Sequence, residues 1–247
     1  MTQFSYQLSD RIGTKATLGM VVLSSDQTLE HDMRRMLPIE DVALYVSRIH
    51  CETDVTGDTL SQMEERLPAS VGLFPPGMSF DSVGYGCTSG TSVIGPEAIN
   101  RIVSSACDTK AVTEPVSGLI AACRHLSIKK LAFLTPYVLE VSQTLMNVVN
   151  QAGVETPLFG SFDEGDDTRV ARVDPRSIFD AAIALAEGQD CDGIFMSCTN
   201  LRTLDIIPQL EDRLGIPALA SNQVMAWHMA QQAGLKLNTG FGRLIDA

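Results

Sequence analysis

DSVGYGCT, residues 81–88, recurs as DGIFMSCT, residues 192–199. Both copies open on aspartate, run through a short apolar stretch and end on cysteine followed by threonine. A run of this length and content, broken by small hydroxylated residues, reads as a strand buried on both faces of a parallel sheet. The repetition extends outward in the same order. LGMVVLSSDQTLEHDM (18–33) parallels LAFLTPYVLEVSQTLM (131–146), a strand, a polar turn and a helix in each case. TEPVSGLIAACRHLSI (113–128) parallels ASNQVMAWHMAQQAGL (220–235), two helices that close the halves.

Strands are expected at 16–23, 42–50, 80–87, 129–136, 154–162, 191–198 and 216–220. Pro157 marks the fifth of these as an edge strand, because proline cannot donate to a ladder. Amphipathic stretches at 26–36, 57–73, 96–106, 113–126, 138–152, 175–187, 204–214 and 222–233 alternate with them as helices. Such alternation makes an α/β protein with parallel sheets. The repeat divides it into two pseudo-symmetric Rossmann-like lobes, 16–115 and 116–220, with a last helix near 221–235 packing back on the first. The acidic stretch FDEGDDTRVARVD (162–174) lacks periodicity and reads as a solvated loop.

Ligands in open parallel sheets bind beyond the carboxyl ends of the strands. Two facing lobes would therefore bring Cys87 and Cys198 to opposite sides of one cleft. Beside backbone N–H groups and a following helix start, each thiol is expected to have a lowered pKa. The other cysteines, at 51, 107, 123 and 191, lack this context and are assigned to packing. His125 and His228 read as structural or exposed, and Trp227 as core.

A formal charge of −12 argues against nucleic acid or an anionic membrane as partner, while a local site can still take an anion. Six cysteines with no C-x-x-C pair and four scattered histidines point to neither a disulfide scaffold nor a zinc site. GYG and SGTSVIG fit neither G-x-G-x-x-G nor a Walker loop. The first residues lack the apolar core of a signal peptide, and a cytoplasmic location is the expectation.

The stretches VVLSSDQTLEHDM (21–33), GYGCTSGT (84–91), LTPYVLE (134–140) and SCTNLRTLDII (197–207) resemble the aspartate/glutamate racemase superfamily. Within it they are most similar to the branch of maleate cis-trans isomerases and arylmalonate decarboxylases, and GYGCTSGTSVIG to racemase-like proteins of ectoine utilisation. The resemblance implies two α/β lobes with the site between them, no cofactor, a small carboxylate substrate and a homo-oligomer. It implies that Cys87 and Cys198 are the catalytic pair. It further implies that Ser25, Asp26, Thr88, Ser89, Tyr137, Thr199 and Asn200 bind substrate. Maleate isomerases read Pro-Ser-Ser-Asn in the first turn, whereas this chain has Leu23-Ser24-Ser25-Asp26. An aspartate there repels a carboxylate and suits an ammonium or another donor. The related decarboxylases carry glycine where Cys87 stands, so two cysteines favour isomerisation.

Three activities follow as expectations. A two-base racemase of an amino-acid-like carboxylate leads. A cis-trans isomerase working through a covalent cysteine adduct is the alternative, with decarboxylation behind it. A two-lobed binding protein without catalysis is the reading from another class.

Overall fold

The computed structural model describes residues 1–52 and 54–246. The first part of the chain runs β1 (Ala16–Leu23), α1 (Leu29–Met36), β2 (Val42–Ile49), α2 (Gly57–Val71), β3 (Ser79–Phe80), β4 (Ser82–Gly86), α3 (Thr88–Ile94), α4 (Pro96–Ala106), β5 (Asp108–Thr109), β6 (Val112–Thr113) and α5 (Pro115–His125). The second runs β7 (Lys130–Thr135), α6 (Leu139–Gln151), β8 (Glu155–Ser161), α7 (Asp167–Val170), α8 (Pro175–Ala186), β9 (Gly193–Met196), α9 (Ile207–Leu214), β10 (Ala218–Ala220), α10 (Ser221–Ala233) and α11 (Arg243–Asp246).

Two four-stranded sheets form, ordered β2-β1-β4-β6 and β8-β7-β9-β10, and every pairing within them is parallel. Second, first, third and fourth strand stand side by side in both. The internal repeat is thus a repeat of topology. Its aspartates explain their own recurrence. Asp81 takes the Thr17 N–H at 2.9 Å, at the start of β1. Asp192 takes the N–H groups of Lys129 and Lys130 at 2.9 and 2.8 Å, at the start of β7. Each aspartate precedes the third strand of its sheet and satisfies donors where the first strand begins.

The halves are knitted together by α10. Gly84 in β4 faces it so closely that a Cβ there would lie 2.3 Å from Met225 Cε. A Cβ on Gly118 in α5 would lie 2.7 Å from the Val224 carbonyl. These two glycines let α10 settle against both β4 and α5, and Met225, Met229 and Ala226 are buried there. Trp227 lies in the core with the His125 ring tilted against it at 5.3 Å, and His228 bonds the Thr113 hydroxyl at 2.7 Å. Trp227 is buried, His228 half-buried and His125 exposed. No described helix is long and apolar enough to cross a membrane.

Three expectations need correction. The residues after Cys87 form a helix, α3, where the hydroxyl-rich sequence suggested an irregular break. Gly95, at φ 90°, ends it, and Pro96 starts α4. The acidic stretch 162–174 is not wholly a solvated loop. Asp166 caps α7 by accepting the Thr168 N–H at 2.8 Å, and Asp167, Val170 and Ala171 are buried. Finally, no helix follows Cys198 directly. The chain turns through 199–206, and α9 begins only at Ile207.

Candidate active site

Cys87 and Cys198 stand just past the ends of β4 and β9, the matching third strands of the two sheets. Cys87 is the N-cap of α3, and its sulfur accepts the Gly90 N–H at 3.2 Å. The Ser89 hydroxyl lies 3.7 Å from the same sulfur. Cys198 is held differently. The Tyr137 hydroxyl donates to its sulfur at 2.8 Å, and the Asn200 N–H does so at 3.3 Å. Its φ of 140° lies in the region that favours glycine. Backbone strain of about 1–3 kcal/mol is stored at such a residue. Cys198→Gly should therefore be more stable than Cys198→Ala by about 1 kcal/mol, after glycine's extra unfolded-state entropy is deducted. Denaturant melts of the two variants measure this directly.

A hydrogen-bonded relay joins the two cysteine loops. Thr88 donates its hydroxyl to Ser221 Oγ at 2.8 Å, and the Cys198 N–H donates to the same oxygen at 2.9 Å. Thr199 Oγ1 reaches back to the Gly86 carbonyl at 3.5 Å. The hydroxyls of Thr88 and Thr199 are thus committed between the halves. The N–H groups of Thr88 and Ser89 belong to the first turn of α3 and have no partner within it.

The expected fall in thiol pKa is reversed. Burial pushes the Cys87 thiol up to about 12, and the Asp167 carboxylate adds to the rise against the Gly90 and Ser89 hydrogen bonds. Cys198 is pushed well above the usual thiol range by burial, then by Asp167 and Asp26, despite the Tyr137 and Asn200 hydrogen bonds. Both thiols are 2% exposed, and desolvation of the anion outweighs the few N–H groups that favour it.

The substrate-binding expectations divide. Asp26 Oδ1 accepts the N–H groups of Thr28 and Leu29, both at 2.8 Å, and so caps the start of α1. Its Oδ2 is buried without a hydrogen-bond partner. Asn200 is fully engaged in structure. Its Nδ2 donates to the Asp167 carbonyl and to Asp167 Oδ2, both at 3.0 Å, and its Oδ1 accepts the Gln27 N–H at 2.8 Å. Ser25 donates to Asp167 Oδ2 at 2.5 Å.

Sequence reading missed three residues of this cluster. Asp167 was hidden in an acidic run that looked solvated, and only the Asp-x-Thr capping pattern of 166–168 marks a helix start there. Ser221 had no signal beyond its place at the start of a closing helix. Cys51, assigned to packing, lies 3.1 Å from Ser25 Oγ and shares a narrow cleft with Ser89, Tyr137 and Asp167. Among the described residues no group of three or more His, Cys, Asp or Glu is placed to hold a metal ion.

Two like parallel sheets, each ending a matching strand on a buried thiol, define the class: a two-sheet α/β enzyme with its polar cluster at the strand ends. Comparison with known proteins makes the class specific. The family model described as arylmalonate decarboxylase matches residues 96–245, more than half of the sequence, and the chain belongs to that family. Arylmalonate decarboxylase of Bordetella bronchiseptica is 31% identical over 133 residues, 53% of this chain and 55% of that one, so the match spans about half of either protein. Maleate isomerase of Geobacillus stearothermophilus is 24% identical over 234 residues, covering 89% of this chain and 92% of the relative. The fold is also that of a Nocardia farcinica maleate cis-trans isomerase, solved as a cysteine-to-serine mutant with a covalently bound succinylcysteine intermediate. That structure has a TM-score of 0.84 and 20% identity, over 94% of this chain and 98% of that one.

Proposed function

We propose that the protein is a cis-trans isomerase of a small unsaturated carboxylate, in which Cys87 is the nucleophile and Cys198 the proton donor and acceptor. The observation that carries this reading is the unequal setting of the two buried thiols. Cys87 accepts an N–H at the start of α3, which opposes the rise that burial and Asp167 impose on its thiol. Burial, with Asp167 and also Asp26, holds Cys198 as the neutral thiol against the Tyr137 and Asn200 hydrogen bonds. The full-length similarity to a maleate isomerase supports the same reading.

The Cys87 sulfur adds to the alkene carbon β to the carboxylate, forming a C–S bond while the π electrons move onto the carboxylate as an enediolate. The N–H groups of Thr88 and Ser89 are assigned to its oxygens. The Cys198 thiol gives its proton to the α-carbon, leaving a saturated adduct whose central bond rotates. Cys198, now a thiolate held by the Tyr137 hydroxyl, takes the α-proton back. The C–S bond breaks and the trans alkene departs with Cys87 again a thiolate. Atoms balance without a cofactor.

The racemase reading keeps the same pair and omits the C–S bond. One thiolate removes an α-proton while the other thiol protonates the opposite face. The matching strand-end positions of the two cysteines favour it. Proton NMR in D₂O separates the two. The isomerase reading expects a cis alkene acid, maleate or cis-4-aminocrotonate, to become its trans isomer. Deuterium entering the α-carbon of a saturated amino acid, with neither alkene converted, overturns it in favour of racemisation.

A further inference from the structure

We propose that the buried wall made by Asp26, Asp167 and Ser25 receives a protonated amine, so that the substrate carries an ammonium group where maleate has its second carboxylate. The proposal rests on the reading of the cleft as the substrate site and names the substrate class that fits it.

Two carboxyl groups meet here, and the nearby Arg48 guanidinium only partly offsets the burial of Asp26. Asp26 and Asp167 are each 3% exposed, and each is shifted upward mainly by burial. Asp26 lies near enough to Asp167 to raise it further. Among the described residues no Lys, Arg or His forms an ion pair with either. Arg48 lies beside the turn and its charge lowers the pKa of Asp26, but its guanidinium N–H groups are taken by the Leu23 and Asp26 carbonyls, at 3.0 and 2.9 Å, and by Glu30 at 3.3 Å, so none is bonded to the Asp26 carboxyl.

The second observation is the orphaned atom. Asp26 Oδ1 is saturated by the N–H groups of Thr28 and Leu29, while Oδ2 of the same buried carboxyl makes no hydrogen bond of its own, the nearby Thr199 hydroxyl being turned to the Gly86 carbonyl. Buried polar atoms are rarely left so, because desolvation without a hydrogen bond is costly. An acceptor left open beside a second carboxyl group calls for a donor, and a cationic one satisfies both. A carboxylate in the same place would be repelled by both.

The position also suits the chemistry. Asp167 raises the thiols of Cys87 and Cys198 alike, and Asp26 raises that of Cys198. An ammonium bound between the two carboxylates neutralises that field, so the thiolate forms more readily once substrate is seated. The cleft leading inward is edged by Cys51, Glu52, Asp54, Ser89, Tyr137 and Asp167, with acidic side chains at its outer end. That edge attracts a cationic group as it approaches.

The test uses probes that cannot react. 4-Aminobutyrate and succinate have the same four-carbon backbone and differ in the group at one end. Calorimetric titration of the wild-type protein is expected to show 4-aminobutyrate binding about 10- to 100-fold more tightly, the range of a charge-assisted hydrogen bond. Asp167→Asn and Asp26→Asn are expected to erase or invert that preference, with their folding checked by thermal melts. Succinate binding as tightly as 4-aminobutyrate, or neither binding, overturns the proposal. Conversion of maleate to fumarate alongside that result leaves the isomerase reading standing. The opposite combination, 4-aminobutyrate preferred but neither cis-4-aminocrotonate nor maleate isomerised, upholds the ammonium wall and removes the isomerase.

Discussion

Cys87→Ala is expected to lower kcat/KM by at least about 10⁴-fold, and Cys198→Ala by about 10²- to 10⁴-fold, the range of a single acid–base group. The two losses differ in kind. Without Cys87 the C–S bond of the proposed mechanism does not form. Without Cys198 the bond still forms, but proton transfer at the α-carbon falls to water or a poorer group. The serine variants make the distinction visible. Serine at 87 keeps an acceptor for the Gly90 N–H and so preserves the cap of α3, which isolates loss of the nucleophile from loss of the helix start. Intact-mass measurement after mixing with substrate is expected to show an adduct of substrate mass on Cys198→Ser and none on Cys87→Ser. Cys87→Ala retaining more than about a tenth of wild-type kcat/KM would sink the assignment. An adduct on Cys198 in the Cys87→Ser protein would exchange the two roles.

The architecture was legible because two strands with one pattern carry it. The Asp-to-Cys spacing of 81–87 and 192–198 fixes both the start of the neighbouring first strand, through each aspartate, and the strand end where each cysteine sits. Strand β1 coincides with the apolar run 16–23, and α4 with 96–106, where Pro96 supplies a start. What escaped depends on contacts made across the chain. Asp167 looks solvated in a run of charged residues, and only its bonds from Ser25 and Asn200, 142 and 33 residues away, make it part of the cluster. The helix α3 was hidden because a cysteine, rather than a usual capping residue, accepts the N–H of its third residue, Gly90. The thiol pKa values went the other way because a local rule about helix N-termini counts donors and ignores burial. The cysteine–cysteine pairing was visible in the sequence; the carboxyl groups that surround it were not.

Asp32→Asn is expected to stabilise the protein by about 3 kcal/mol at pH 7.5, raising Tm by roughly 6–12 °C, and to change little near pH 4. Asp32 lies on the buried face of α1, 3% exposed, where Asn222 Nδ2 donates to its Oδ2 at 2.9 Å. Burial pushes its carboxyl from the usual 3.8 up to about 6. The Asn222 hydrogen bond and the nearby Arg35 and His31 only partly oppose this, and Asp205 adds to it. Arg35 is engaged with Asp205, at 2.5 and 3.1 Å. A carboxyl whose folded pKa is raised binds its proton more tightly in the folded state. Below 3.8 it is protonated in both states and exerts no effect. Between 3.8 and about 6 the unfolded chain loses the proton first, so stability falls as pH rises, and above 6 the whole cost is present. Asparagine removes that cost and keeps an acceptor for Asn222 Nδ2. Its own amide donor can also serve the Asn222 Oδ1, which is buried without a partner. Guanidinium denaturation of both proteins across pH 4 to 8 follows the difference. A gap that opens between pH 4 and 6 and then stays level is the expected curve, and one that is constant across the range would show that Asp32 is not the linked group. Because Asn222 Nδ2 also holds the Thr199 carbonyl at 2.9 Å, beside Cys198, turnover of the same variant tells whether the carboxyl itself matters to the site. Activity kept alongside the gain in stability means that Asn222 is positioned by an acceptor of either kind. Activity lost means that the proton on Asp32 is part of what positions the Cys198 loop.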